Sequence, residues 1–275
     1  MKFTEQQKNE QLLAAGLLDP LPLQLFRFYK NILRFDFGDS RRIQNGVPVI
    51  KLISERYAIS MRLGLTSVCI SLVLGVMLGI GQARHKDKIM DHVGTSYTIF
   101  VNAVPSLVSY SLVLIFGSRV LGLPAMYSSR NVGPSVVLPI VCLSMASIAW
   151  WALWTRRYMI DEINKDYIKL AKIKGMSTKS IMVKHVLRNA FVPLAQYLPA
   201  SLLTTISGSL LVERFFSIPG MGPLLMDAVK RYDTNIVQTL VILYSAMGIL
   251  GVFLGDVLMM IVDPRITLVR KGGTR

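Results

Sequence analysis

Two cysteines and three histidines in 275 residues leave little material for a disulfide framework or a metal centre. Cys69 and Cys142 both fall inside apolar runs, where a thiol is expected to serve as a small buried hydrophobe. His85, His92 and His185 sit in or beside charged loops without a paired ligand set, so no metal site is expected. No glycine-rich loop ending in Gly-Lys-Ser or Gly-Lys-Thr is present to cradle a nucleotide phosphate, and no catalytic constellation is visible. Acidic residues are scarce too: 16 against 31 basic ones, a net charge of +15. Such an excess can mark a nucleic-acid binder, but here the basic residues are spread over loops beside hydrophobic segments, a pattern that membrane topology explains better. A basic start followed by an apolar core, the mark of a cleavable signal peptide, is also missing.

What the chain has in abundance is apolar surface. Apolar residues make up 52% of it, and the mean hydropathy is +0.47. Five runs are long enough to cross a hydrocarbon core of about 30 Å at about 1.5 Å per helical residue. They run from Ser60 to Gln82, Gly94 to Phe116, Ser135 to Leu153, Phe191 to Val212 and Val237 to Val262. Backbone polar groups in lipid must be satisfied within each segment, and the runs are too long for barrel strands, so an all-α integral membrane protein is expected. Basic residues orient it: the loop with Arg84, Lys86 and Lys88, the loop 156–190, and the tail 263–275 with Arg265, Arg270, Lys271 and Arg275 should face the cytoplasm. With five spans, residues 1–59 then lie outside, as does the loop 213–236. Leu12 to Leu33 is the most apolar part of that N-terminal segment, but Asp19, Pro20, Pro22, Arg27 and Lys30 interrupt it. It reads as an interfacial element with Leu25, Phe26, Tyr29, Ile32 and Leu33 on one side.

Three stretches stand out as functional surfaces. In the cytoplasmic loop, Tyr167, Leu170, Ala171 and Lys174 recur at helical spacing and offer an apolar ridge to a partner while the lysines, Lys169 among them, stay wet. Gly175 ends that helix and Met176 turns the chain into a second amphipathic run. Outside, Ile218-Pro219-Gly220-Met221-Gly222, behind Phe216, is a rigid turn leading into a short helix; it suits either a gate or receptor-facing element or a plain structural hairpin. Within the fourth span, Gln196, Ala200, Thr204, Ser207 and Gly208 follow helical spacing, a polar stripe that either lines a path or glues helices. Asn102 and Ser106 flank the kink-prone Pro105 as further path candidates. Asp256, the one acid well inside a span, is expected to have a structural partner such as a basic residue near the cytoplasmic boundary.

These motifs, in order, resemble one family over nearly the whole chain. Asp166 to Gly175 resembles the coupling loop of ABC importer permeases, with Lys169 and Leu170 where the general pattern has Glu and Ala. Glu213-Arg214-Phe215-Phe216-Ser217-Ile218-Pro219-Gly220-Met221-Gly222, Asp263-Pro264-Arg265-Ile266 and Phe37-Gly38-Asp39-Ser40 resemble signatures of the dipeptide, oligopeptide and nickel branch. The resemblance implies a type I ABC importer permease bundle, of which about five transmembrane helices are here against six in the family, the first being truncated or supplied elsewhere. It also implies a second homologous permease, two cytoplasmic ABC ATPases that bind ATP and Mg, an extracytoplasmic substrate-binding protein, and a place in the prokaryotic cell membrane. The implied cargo is a di- or oligopeptide, with nickel or a metal chelate as the alternative. A stand-alone channel or ion-coupled carrier would place acids or broken helices near the bilayer centre, and Asp256 alone comes close.

The orientation is directly testable. Single cysteines replacing Ser128 or Asn235 should react with a membrane-impermeant thiol reagent in intact cells, whereas one replacing Ser180 should react only after lysis; the reverse pattern would overturn the inside-outside assignment.

Overall fold

The structure, a computed structural model, describes residues 18–264. Within them the regular structure is helical, and the one β contact is an isolated bridge from Asp39 to Pro48. In chain order the helices are α1 (Leu21–Leu33), α2 (Val49–Arg84), α3 (Ile89–Ala103), α4 (Ser106–Arg119), α5 (Val132–Ile163), α6 (Asp166–Ile173) and α7 (Thr178–Ile181). A π-helical turn, Met182–Leu187, leads into α8 (Arg188–Ile206), followed by α9 (Leu210–Phe215), α10 (Met221–Lys230) and α11 (Thr234–Val262).

Three helices, α2, α5 and α11, are long and apolar enough to cross a membrane, and α3 with α4 can make a fourth crossing bent by 114°. The expected second span, Gly94 to Phe116, is therefore not one rod. Proline at 105 cannot donate to the helical ladder and pushes Val104 into extended backbone (ψ 129°), so α3 ends and α4 restarts behind Pro105. The expected fourth span, Phe191 to Val212, is also too long: α8 stops at Ile206, and Gly208, at φ +98°, turns the chain before α9. In the N-terminal region α1 starts at Leu21 behind Pro20, and its Leu25, Phe26, Tyr29 and Leu33 are exposed. The remainder of the expected Leu12 to Leu33 element, up to residue 17, lies outside the described residues, as does the tail from residue 265. Cys142 is buried as expected, but Cys69 lies on the exposed face of α2.

Long helices meet through small residues. In lipid there is no hydrophobic drive to pair them, so close packing of backbones has to supply the attraction. On α2, a Cβ at Gly75 would come within 2.5 Å of the Trp151 Cβ, and one at Gly79 within 2.6 Å of the Ala152 carbonyl oxygen on α5. On α11, a Cβ at Gly251 would fall 2.7 Å from the Ala200 Cα, and one at Gly255 would overlap the Gln196 carbonyl of α8. Hydroxyls bridge the first pair as well, with Ser67 and Ser144 oxygens 3.1 Å apart.

A separate apolar core sits at the end of the bundle where α2 begins. The N-terminal turns of α2 (Val49, Leu52, Ile53) pack against Met221, Leu224 and Ala228 of α10 and Ile236 and Leu240 of α11. A loop from Asp39 to Gly46 is clasped over it by Asp233. One carboxylate oxygen of Asp233 accepts from the Ser40 hydroxyl (2.6 Å) and the backbone N–H groups of Arg41, Arg42 and Ile43 (3.1, 2.9 and 3.1 Å). Burial opposes the charge on Asp233, but these four donors outweigh it and hold the carboxyl below its ordinary pKa. α2 thus begins eleven residues before the expected first span, and Val49, Leu52 and Ile53 of that extension belong to this core.

Glycines on one helix provide an internal control for the packing. Gly255→Ala should lower thermal stability in detergent by about 1–3 kcal/mol through overpacking against Gln196, while Gly248→Ala, whose Cβ would meet nothing within 4 Å, should not. Equal melting temperatures for the two variants would contradict the close α8–α11 approach.

Candidate functional site: two end surfaces and a groove between them

Residues 166–187 form α6, a turn, and α7 with the π-helical extension. Gly175 has φ +78° and open space around it, so backbone conformation alone calls for glycine here. The Ser177 hydroxyl accepts from the Ser180 N–H and caps the restart at α7. The ridge is divided differently from the expectation. Ile168 and Ala171 are buried with Met159, Ile181, Val186 and Ala190, and Met176 packs against the same core, so Ala171 is turned inward and away from any partner. Leu170 (50% exposed) and Ile173 (82% exposed) are the apolar residues left outside, among Lys169, Lys172 and Lys174. Tyr167 is partly exposed, but its hydroxyl bonds inward to Glu162. Burial and that bond push the phenol pKa up to about 12, so Tyr167 remains a hydrogen-bond donor at physiological pH.

The signature over residues 213–222 also faces inward. Phe216, Ile218, Met221 and Gly222 are buried, and Pro219 is half-buried, so these side chains hold the turn together and do not form an outer surface. Phe216 and Ile218 pack with Leu63, Leu138, Cys142 and Val212. The pin is Glu213, 1% exposed: one oxygen accepts from the Ser209 N–H (3.2 Å) and the other from the Gly222 N–H (2.8 Å). Burial raises the Glu213 pKa, against the Ser60 hydroxyl and the two N–H groups that favour its charge. Ser60 of α2 accepts from the Met221 N–H at 2.9 Å, tying the turn to a spanning helix. Gly220 lies against the same carboxylate and Ser60, leaving no room for a side chain.

The polar stripe of α8 separates into three environments. Gln196 donates to Asp256 of α11 at 2.7 Å, so the intramembrane acid has an amide partner rather than the expected basic one. Ser207 is buried and donates to the Leu203 carbonyl, with Met247 also beside it. Thr204 is exposed and lines a groove of about 290 Å³ with Ser147, Trp150, Trp151, Tyr197, Ala200, Ser201 and Thr205. Trp150 stands edge-on to Tyr197 (5.0 Å between centroids) and close to Trp154, which stacks on Tyr158 (5.5 Å). The lining contains no Asp, Glu, Lys, Arg or His. Asn102 and Ser106 are exposed on either side of the α3–α4 break, and the Asn102 amide is occupied by the Thr98 carbonyl.

Sequence reading missed the polar contacts that join distant segments. Arg156 grips Asp91 through two bonds of 2.6 and 2.7 Å, linking the start of α3 to α5. Glu162 binds α6 and α8 at once. Only charges at otherwise apolar helix ends hinted at either. Among the described residues no group of three His, Cys, Asp or Glu side chains is placed to hold a metal.

With this geometry in view, known proteins supply the class. A family model described as binding-protein-dependent transport system inner membrane component matches residues 71–268, and the chain belongs to that family. The dipeptide transport system permease protein DppB of Lactococcus lactis is 32% identical over 267 residues, covering 97% of this chain and 88% of the relative. The oligopeptide permease AmiC of Streptococcus pneumoniae is 38% identical over 212 residues, covering 76% of this chain; this chain spans 42% of the length of AmiC. Among solved structures, the MetNI methionine ABC transporter matches with TM-score 0.61 at 15% identity, over 78% of this chain and 97% of that one. An amino acid ABC transporter matches with TM-score 0.58 at 16% identity, over 79% and 95%. The fold is therefore that of a type I ABC importer permease, and the protein is a multi-pass membrane component.

The Glu213 pin can be tested alone. Glu213→Gln has one oxygen for two N–H groups and should cost about 1–3 kcal/mol by stranding a buried donor, seen as a lower melting temperature in detergent and faster tryptic cleavage at Arg214. Unchanged melting and cleavage would mean the carboxylate does not hold the turn.

Proposed function

We propose that this chain is the permease subunit of an ATP-driven importer of di- or oligopeptides. It would form the translocation path with a second, homologous permease, while two cytoplasmic ATPases supply ATP and Mg chemistry and an extracytoplasmic binding protein delivers cargo. The observation that carries the reading is α6: a short helix in the cytoplasmic loop that leaves Leu170 and Ile173 exposed among lysines while its other face is buried in the bundle. Exposed apolar side chains on an otherwise wet helix suit a docking contact. Peptide cargo is favoured over nickel because relatives such as DppB and AmiC are named for dipeptide and oligopeptide transport. The groove along Trp150, Tyr197, Ser201 and Thr204 suits that cargo, since hydroxyls match backbone amides and aromatic faces accept varied side chains without demanding a charge.

In this scheme closure of the ATPases on ATP pushes the α6 surfaces together and opens the path outward, and hydrolysis resets it. Ion-coupled carriage is the weaker reading: Asp256 is engaged by Gln196, and the broken α3–α4 span carries no acid at its break.

Expression with its neighbouring subunits should co-purify ATPases and give peptide-stimulated ATP hydrolysis in proteoliposomes. Gly175→Val, forced to hold φ +78°, should strain the turn by about 1–2 kcal/mol or more and reduce that stimulation while the subunit still reaches the membrane. Full stimulation in the valine variant would argue against α6 as the ATPase contact.

A further inference from the structure

Glu162, Tyr167 and Asn189 close a ring of hydrogen bonds that joins three elements. Glu162 is in the last turn of α5 and 6% exposed, Tyr167 is the second residue of α6, and Asn189 is the second residue of α8. The Tyr167 hydroxyl donates to Glu162 Oε1, and the Asn189 amide donates both to that oxygen (3.1 Å) and to the Tyr167 hydroxyl (2.8 Å). The second Glu162 oxygen takes the Lys165 ammonium at 2.6 Å. Tyr167 thus gives one hydrogen bond and accepts another, and the carboxylate has a partner on each oxygen.

The placement matters because α5 and α8 are the two walls of the groove, and α6 is the helix proposed to meet the ATPases. Ile168 and Ala171 anchor α6 by apolar packing, which resists separation but fixes rotation about the helix axis poorly. Directional bonds at the N-terminal end of α6 supply what packing lacks. The π-helical turn Met182–Leu187 ends two residues before Asn189, and its wider winding sets the direction in which α8 starts.

We propose that the Glu162–Tyr167–Asn189 ring is a torsional latch: it makes α6 turn with α5 and α8 as one body, so that force on Leu170 and Ile173 reaches the groove instead of rolling α6 in place. Its three members are positioning residues for coupling, and the proposal rests on the importer reading above. Opening the ring loosens the yield of transport per ATP without removing the docking surface.

The test uses the complete assembly in proteoliposomes and measures peptide transported per ATP hydrolysed, with ATPase co-purification in parallel. Tyr167→Phe keeps the aromatic ring but deletes both bonds of the hydroxyl. The transport yield per ATP should fall several-fold, since the hydroxyl loses its bond to the carboxylate and its bond from the Asn189 amide together. ATPase subunits should co-purify in unchanged ratio. Glu162→Gln retains an oxygen that can accept from Tyr167 and Asn189, and should keep most of the yield. An unchanged yield in Tyr167→Phe overturns the latch. A loss matched by lost co-purification also overturns it, because Tyr167 would then be a docking residue. Should the wild-type assembly move no peptide, the importer reading fails, and hydrogen exchange still judges the latch: Tyr167→Phe must accelerate exchange over residues 166–174, and identical exchange refutes it.

Discussion

Backbone contact between helices is the constraint from which the rest of the structure follows. Apolar side chains gain nothing from leaving lipid for another apolar surface, so the spans need a different reason to stay together. Gly75 and Gly79 let α2 lie on the backbone of α5, and Gly251 and Gly255 do the same for α11 on α8. Dispersion and weak backbone dipole contacts gain from each tenth of an ångström of approach, and a single methyl group would cancel that gain. Because α2 also packs directly on α8, the two pairs are fixed to each other, and the groove is what remains unfilled between α5 and α8.

Polar pins are sorted by position along the helices. At one end Asp233 and Glu213 fasten loops through backbone N–H groups, and at the opposite end Arg156–Asp91 and Glu162–Tyr167–Asn189 fasten helix termini. Between them the contacts run along single helices, as from Thr98 to the Gly94 carbonyl, or join helices through uncharged groups, as at Ser67 and Ser144, with Gln196–Asp256 the charged exception. Such a division is what solvation predicts. A charge near water can be gathered into a network at modest cost, whereas the same charge at mid-depth needs a dedicated partner.

The helical bundle and the family were legible from apolar run length and motif order, because each is a local property of the chain. The break before Pro105 was half legible: proline announced a kink, but nothing nearby specified a bend of 114°. The end of α8 was signalled by Ser207-Gly208-Ser209, a run that also reads as small-residue packing. The inward face of Phe216 to Gly222 was not legible, since spacing gives a motif's shape and not the side on which neighbours will lie. Ser40 and Asp233 are 193 residues apart, and no periodicity connects them. The same holds for Glu162 and Asn189, whose meeting depends on the chain reversing through Gly175 between them.

The length of α2 has a mechanical consequence. Its 36 residues form one uninterrupted helix, about 54 Å from end to end at about 1.5 Å per residue, and its outer turns are embedded in the core that holds α10, the start of α11 and the Asp233 clasp. A rod of that length pivoting about its midpoint by about 10° carries its tip through about 5 Å. Because no hinge interrupts it, a small tilt among the buried spans is displayed at the start of α2 as a sideways sweep larger than a hydrogen bond. That end of the molecule is a pointer whose position reports the arrangement of the helices beneath it.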